Sequence, residues 1–175
     1  PSKDVILQDG DIINVDVSTI YNGYFSDSSR MFCLGNVSEE NRKLVQVTKE
    51  CVELGLAEVK PWGFLGDVGA AICEHAHANG YTVVREIGGH GVGVEFHEEP
   101  WVGYNTKRGE EMLLVPGLMF TIEPWSTWGL SRFTRTRRMA GRSTQWMASP
   151  PPVGVSGSGD GERSGSDCLV RRTSV

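Results

Sequence analysis

"GGHGVGVEFHEEP" runs from Gly88 to Pro100 and sets two histidines, His90 and His97, among four glycines. Glycine lets one stretch of backbone approach another closely, so such a loop leaves the His90 imidazole accessible. A phosphate-cradling loop is one alternative. The stretch has neither the lysine of a P-loop nor a helical pattern after it. An imidazole placed this way suits metal ligation or proton transfer, and both need carboxylates nearby.

Working outward from the loop finds three carboxylates inside apolar runs. Asp16 sits in "INVDVS", Asp27 in "YFSDSSRMF", and Glu123 ends "LMFTIEP". Taken singly, each reads as a strand-end or turn residue. A carboxylate facing a core is costly unless it is paired or binds a metal. With His90 they make a hard, oxygen-rich set that suits Mn, Fe(II), Co or Zn rather than a thiolate-bound structural zinc. Acids shared between two ions would make a two-metal hydrolase. The pair His75 and His77 looks ligand-like, but residues two apart on a helix do not share a face, so both are expected to be structural or exposed. Glu98 and Glu99 are expected to order the loop.

The pattern around these residues mixes strands and helices. "DIINVDV", "IYNGYF" and "SDSSRMFCLG" read as three short strands, with Asn22-Gly23 as a hairpin signal. Ser38 is placed to cap a helix in which Leu44, Val45, Thr48, Cys51, Val52 and Leu56 recur at helical spacing, ended by Pro61-Trp62-Gly63. "FLGDVGAAICEHAHANG" reads as a second helix stopped by Gly80. "YTVVREI" reads as a strand, and "EMLLVPGLMFTIEP" as two strands joined at Pro116-Gly117. There is no strict βαβ rhythm, so the expected class is α+β on an antiparallel sheet flanked by helices.

The 175 residues suffice for one domain with a sizeable core. Charge is divided unevenly. Up to Pro124 there are 9 Lys and Arg against 19 Asp and Glu; from Trp125 onward there are 8 Arg against 3 acids. The acidic body argues against a specific nucleic-acid surface. Cys33, Cys51, Cys73 and Cys168 form no CxxC pair, which fits reduced, mostly buried thiols in a cytoplasmic protein. No apolar run approaches the ~20 residues of a membrane span, and no signal peptide is read at the start.

"NVDVS", "SDSSRMF", "GGHGVGVEFHEEP" and "MFTIEP" together resemble the type I methionine aminopeptidases, of the pita-bread fold, in order and spacing. The resemblance covers essentially residues 1–124. It implies a partial metalloaminopeptidase domain there, carrying two divalent ions. Asp16, Asp27, His90 and Glu123 would be metal ligands, with Asp27 bridging. His97 would hydrogen-bond the substrate peptide group, and Phe96 would line the methionine pocket. A metal-bound hydroxide would attack, removing the initiator methionine from nascent proteins, with the ribosome as a partner implied by the family. The alternatives are a non-catalytic pita-bread binding module and a related proline-specific metallopeptidase.

Two departures qualify that expectation. The chain opens on Pro1 without an initiator Met, and the family's upstream histidine is missing, so a fragment is expected. After Pro124 the family's "NMG", "DGW" and last Glu ligand do not appear. One permitted codon choice for residues 132–149, read from its third base, gives "VYTDEEDGWTVYTVDGK". Residues 125–175, rich in Arg, Ser, Gly and Pro, are therefore expected to be a disordered product of a shifted reading frame, and activity is expected to be impaired.

Overall fold

The computed structural model describes Asp4 and residues 6–128. Its first element follows from Asn22-Gly23. Both residues have positive φ, 51° and 84°, as a two-residue type I′ turn requires and as Asn-Gly supplies at least cost. The turn joins β1 (Ile12–Tyr21) to β2 (Tyr24–Cys33) in one antiparallel ladder. The three short strands expected here are thus two strands of 10 residues each. A single tight turn keeps the ladder in register throughout. One face of the hairpin carries Asp16, Ser18, Phe25 and Asp27; the other carries Val15, Val17, Tyr21, Tyr24 and Phe32.

Helix α1 (Glu39–Ala57) begins where expected: the Ser38 side chain accepts the Asn41 N–H at 3.3 Å, satisfying one of the first turn's orphan donors. Helix α2 (Leu65–Ala78) is followed by Gly80, whose N–H donates to the His77 carbonyl at 3.0 Å. Leu44, Cys51 and Val52 of α1 meet Val68, Ile72 and Ala76 of α2 in a buried cluster completed by Tyr81, Val102, Tyr104, Leu114 and Phe120. Each fully buried aliphatic side chain there is worth about 1.5–3 kcal/mol of transfer free energy.

The expected sheet is antiparallel, but it is divided. Among the described residues there are three two-stranded sheets: β1–β2; β3 (Thr82–Val83) with β6 (Ser126–Thr127); and β4 (Gly89–Gly91) with β5 (Glu98–Val102). The segment from 111 to 124 turns at Pro116-Gly117 as expected but forms no continuous strand. It makes single bridges, Leu113 with Phe64 and Phe120 with Gly91. Short backbone contacts hold it instead, with residues 62–65 beside 112–114 and residues 90–92 beside 119–121.

The end of the ordered pattern also differs from the sequence reading, which stopped at Pro124. Ser126 and Thr127 are buried and pair with β3, Trp125 accepts the Val84 N–H at 2.9 Å, and the Trp128 ring lies 6.2 Å from that of Tyr81. Tyr81 and Val83 offer apolar surface and open backbone groups that these residues cover, a long-range effect that composition does not report. The rest of the expected disordered tail, with Cys168, lies outside the described residues. No helix of the described residues is long and apolar enough to cross a membrane.

Candidate metal centre

His90 is the middle residue of β4, and a bulge between His90 and Gly91 bends the pairing with β5 there. Such irregularities re-aim side chains. Gly89 lets the strand in: a Cβ added there would lie 2.1 Å from the Thr121 carbonyl oxygen. Thr121 N–H in turn donates to the His90 carbonyl at 2.8 Å. This close crossing brings His90 and Glu123 together from segments far apart in the sequence, the bonded His90 and Thr121 being 31 residues apart. Asp27 arrives from β2, where it faces Ser18 across the ladder.

The His90 Nε2 lies 3.3 Å from Asp27 Oδ2 and 3.5 Å from Glu123 Oε1. One ligand atom from each of the three residues lies within 4.8 Å of the other two. The other ring nitrogen, Nδ1, lies 2.9 Å from the Gly91 carbonyl oxygen. A carbonyl only accepts, so Nδ1 carries the proton in the neutral ring and Nε2 presents a lone pair to the carboxylates. With the ring in that neutral form, three acceptors converge without a donor among them, an arrangement that a cation relieves. Oxygen and imidazole donors suit a divalent ion. By that test the residues fit a metal.

Burial pushes the Glu123 carboxyl above the usual carboxylate range; the charges of Asp27 and Asp16 add to this, while the Thr121 hydrogen bond and His90 oppose it. Asp16 is an exposed residue on the same hairpin face as Asp27 and stands outside the three-residue group. Partial burial of its carboxyl raises its pKa, and Asp27 raises it further through charge and hydrogen bonding. Asp16 therefore stands close enough to Asp27 to feel it directly.

His97 and Phe96 sit beside this group. The His97 ring centroid is 4.2 Å from that of His90 and 4.5 Å from that of Phe96. Phe96 also approaches His90 at 5.5 Å and Phe25 at 5.7 Å, the latter edge to face. The loop carrying them is ordered by Glu98, whose Oε2 accepts the N–H groups of Val94 at 3.0 Å and Glu95 at 2.9 Å. Away from the site, His75 contacts Glu50 at 2.8 Å between the two helices, and His77 lies beside Cys73. His75 is half-buried between the helices and His77 is exposed. Cys33 is exposed rather than buried, while Cys51 is buried and its thiol is pushed up to about 12 by that burial.

Three contributors were not read from the sequence. Thr121 hydrogen-bonds both His90 and Glu123, the Tyr104 hydroxyl accepts the Glu123 N–H at 2.6 Å, and Phe25 supports Phe96. Thr121 had a local signal, since residues i and i+2 of an extended segment share a side with Glu123. Tyr104 and Phe25 had none.

Residues 1–170 match metallopeptidase family M24, and the chain belongs to that family. It is similar to methionine aminopeptidase A of Synechocystis sp., with 50% identity over 124 residues, 71% of this chain and 49% of that protein. It is similar to the methionine aminopeptidase of Escherichia coli K12, with 44% identity over 124 residues, 71% of this chain and 47% of that one. The chain spans about half the length of these curated relatives. Its fold resembles the crystal structure of methionine aminopeptidase from Rickettsia prowazekii, with a TM-score of 0.79 and 32% identity over 88% of this chain and 61% of that one. The fold is therefore the pita-bread fold of these aminopeptidases, present in part, and the Asp27–His90–Glu123 group is the candidate metal centre of a metallopeptidase.

Proposed function

We propose that the chain serves in the metal-dependent removal of the N-terminal initiator methionine from nascent proteins. The observation that carries this reading is the convergence of Asp27, His90 and Glu123 with the His97 ring tilted against that of His90. Asp27, His90 and Glu123 would hold one divalent ion (Mn, Fe(II), Co or Zn), and Asp16, next to Asp27, would extend the site to a second. When bound, such ions supply Lewis acidity and acidify a coordinated water towards a pKa of ~7.

The protein's own groups do the rest. His97 hydrogen-bonds the peptide unit next to the scissile bond, and its position against the His90 ring keeps it within reach of the reacting carbonyl. Phe96, braced by Phe25, offers an apolar wall to the methionine side chain. Glu123 and Asp27 hold negative charge where a cation needs it. We further propose a cytoplasmic location and action on chains leaving the ribosome, in keeping with the free thiols Cys33, Cys51 and Cys73. Residues 125–175 are read as the product of a shifted frame, which DNA sequencing across the Pro124 codon tests.

The function is tested by loading the chain with Co or Mn and following methionine release from Met-Ala-Ser beside a Pro-containing peptide. Methionine release that His97→Ala lowers by at least about tenfold, with metal uptake unchanged, supports the reading. Because this chain is expected to be impaired, the same assay is run beside a chain with its upstream half restored and the alternative frame read from Pro124. In that chain, preference for the Pro peptide, or metal uptake with no hydrolysis of either, overturns the reading in favour of a proline-specific or non-catalytic relative.

A further inference from the structure

The Thr121 side chain bonds to two of the candidate ligands at once. It is 2% exposed. Its Oγ1 accepts the His90 backbone N–H at 2.9 Å and lies 2.7 Å from Glu123 Oε1. The same Oγ1 lies 3.5 Å from the His90 carbonyl. A hydroxyl has one proton to give. The shorter distance and the carboxylate charge direct it to Glu123, and the His90 carbonyl is already served by the Thr121 N–H at 2.8 Å.

The polarity of this chain is set by its two ends. A backbone N–H can only donate, so Oγ1 must accept from His90 and give its proton to Glu123. The oxygen that receives it, Oε1, is also the Glu123 atom that faces His90 Nε2. From this geometry we infer that Thr121 is a positioning residue for the metal centre: it locks the strand holding His90 to the carboxylate of Glu123, so that both ligands point to one spot before any ion arrives. The inference rests on the metal reading of the site given above and names no group that touches substrate.

Threonine is suited to this task in a way that neither valine nor a longer polar residue is. Valine has the same shape without the hydroxyl, which leaves a buried N–H unanswered and frees the Glu123 carboxylate to rotate. Serine keeps the hydroxyl and loses a methyl group. Groups that orient metal ligands without touching the ion typically change its affinity about 10–100-fold when removed.

The test titrates the full chain with Co²⁺, following visible absorption of the bound ion and, separately, thermal unfolding without metal. Thr121→Val is expected to weaken Co²⁺ binding about 10–100-fold and change the absorption of the bound ion, while Thr121→Ser stays within about threefold of the original chain. If Thr121→Val lowers metal-free stability yet binds Co²⁺ as the original does, Thr121 is merely structural and the inference is overturned. Should the valine chain not fold, the serine chain decides, because a tenfold or greater loss there contradicts a role carried by the hydroxyl. An original chain that binds no Co²⁺ overturns the proposed function together with this inference; equal binding by original and valine chains overturns this inference alone.

Discussion

The β1–β2 hairpin and the crossing of β4 with residues 120–124 bring ligands to the same centre by different means. The crossing sits on the helical core. His90 and Phe120 are buried, two backbone hydrogen bonds link the segments, Thr121 to His90 and Val92 to Met119, and the Tyr104 hydroxyl of the core accepts the Glu123 N–H. The hairpin is held chiefly by its own ladder, and its face away from the centre exposes Val17 at 51% and Tyr24 at 78%. Two ligands are therefore set by the core, and the third comes on an element tied to it at few points, Phe25 against Phe96 among them. A bound cation is then both a cofactor and a fastening between the two regions.

The comparison breaks most visibly at the ligand that both carboxylates face. His90→Ala removes the nitrogen that meets Asp27 and Glu123. Co²⁺ affinity should fall by more than about 100-fold, beyond what loss of an orienting group costs. Calorimetric titration reads the change. An affinity close to that of the original chain would mean that the two regions do not meet at an ion.

The next effect concerns stability alone. Ile72 is fully buried between the helices. Ile72→Ala should cost about 2–5 kcal/mol in urea unfolding, whereas Val17→Ala on the open hairpin face should stay within about 0.5 kcal/mol. Equal costs would show that something covers the hairpin face in solution.

What could be read from the sequence follows the same division. Local chemistry was legible: the Ser38 cap, the Asn22-Gly23 turn and the stop at Gly80 each depend on neighbours a few residues away, whereas the accessibility expected of His90 fails because Thr121 and the β5 strand pack over its buried strand. His90 and the acids were singled out because charged groups in apolar runs need a reason. Pairing across distance was not legible. Nothing near Ser126 announces that Val83 needs a partner, and the joined strands expected after Glu111 depend on which segments lie alongside. Asp16 shows the limit from the other side: its spacing from Asp27 put both on one hairpin face, yet a step along that face leaves it outside the closest group.

Proton competition gives a smaller and graded effect. Burial holds the Glu123 carboxyl above its ordinary range. In the metal-free fold its ionised form costs stability at pH above the raised pKa. That cost is relieved as pH falls through the folded pKa and is gone below the unfolded one. Metal uptake needs the ionised form, so Co²⁺ affinity should fall by up to about tenfold per pH unit as pH drops through the raised pKa, beginning above the usual carboxylate range of about 4. Titrations between about pH 7 and about pH 4 measure this. An affinity that stays flat until the ordinary range is reached would contradict the raised carboxyl.

The smallest effect tests whether ion pairs or apolar packing make the helical region the firmer of the two. Glu50 of α1 faces His75 of α2 at 2.8 Å and accepts a hydrogen bond from Gln46 at 2.9 Å. The bond from Gln46, and then that from His75, lowers the Glu50 carboxyl below its usual range. A lowered folded pKa stabilises above the unfolded pKa, and the contribution is lost as pH falls through the folded one. The pair lies partly in solvent, with side-chain exposures of 26% and 36%, so water screens it and Glu50→Gln should cost under about 1 kcal/mol near neutral pH. In acid, where Glu50 is protonated in both states, variant and original should unfold together. Glu53→Gln, which removes the exposed partner of Lys49 at 3.8 Å, serves as the surface comparison and should change stability less. A loss from Glu50→Gln as large as that from Ile72→Ala would assign the firmness of the helix pair to its ion pair. A small loss that vanishes in acid assigns it to the apolar contacts of Leu44, Val52, Val68 and Ile72, on which the His90–Glu123 half of the centre is built.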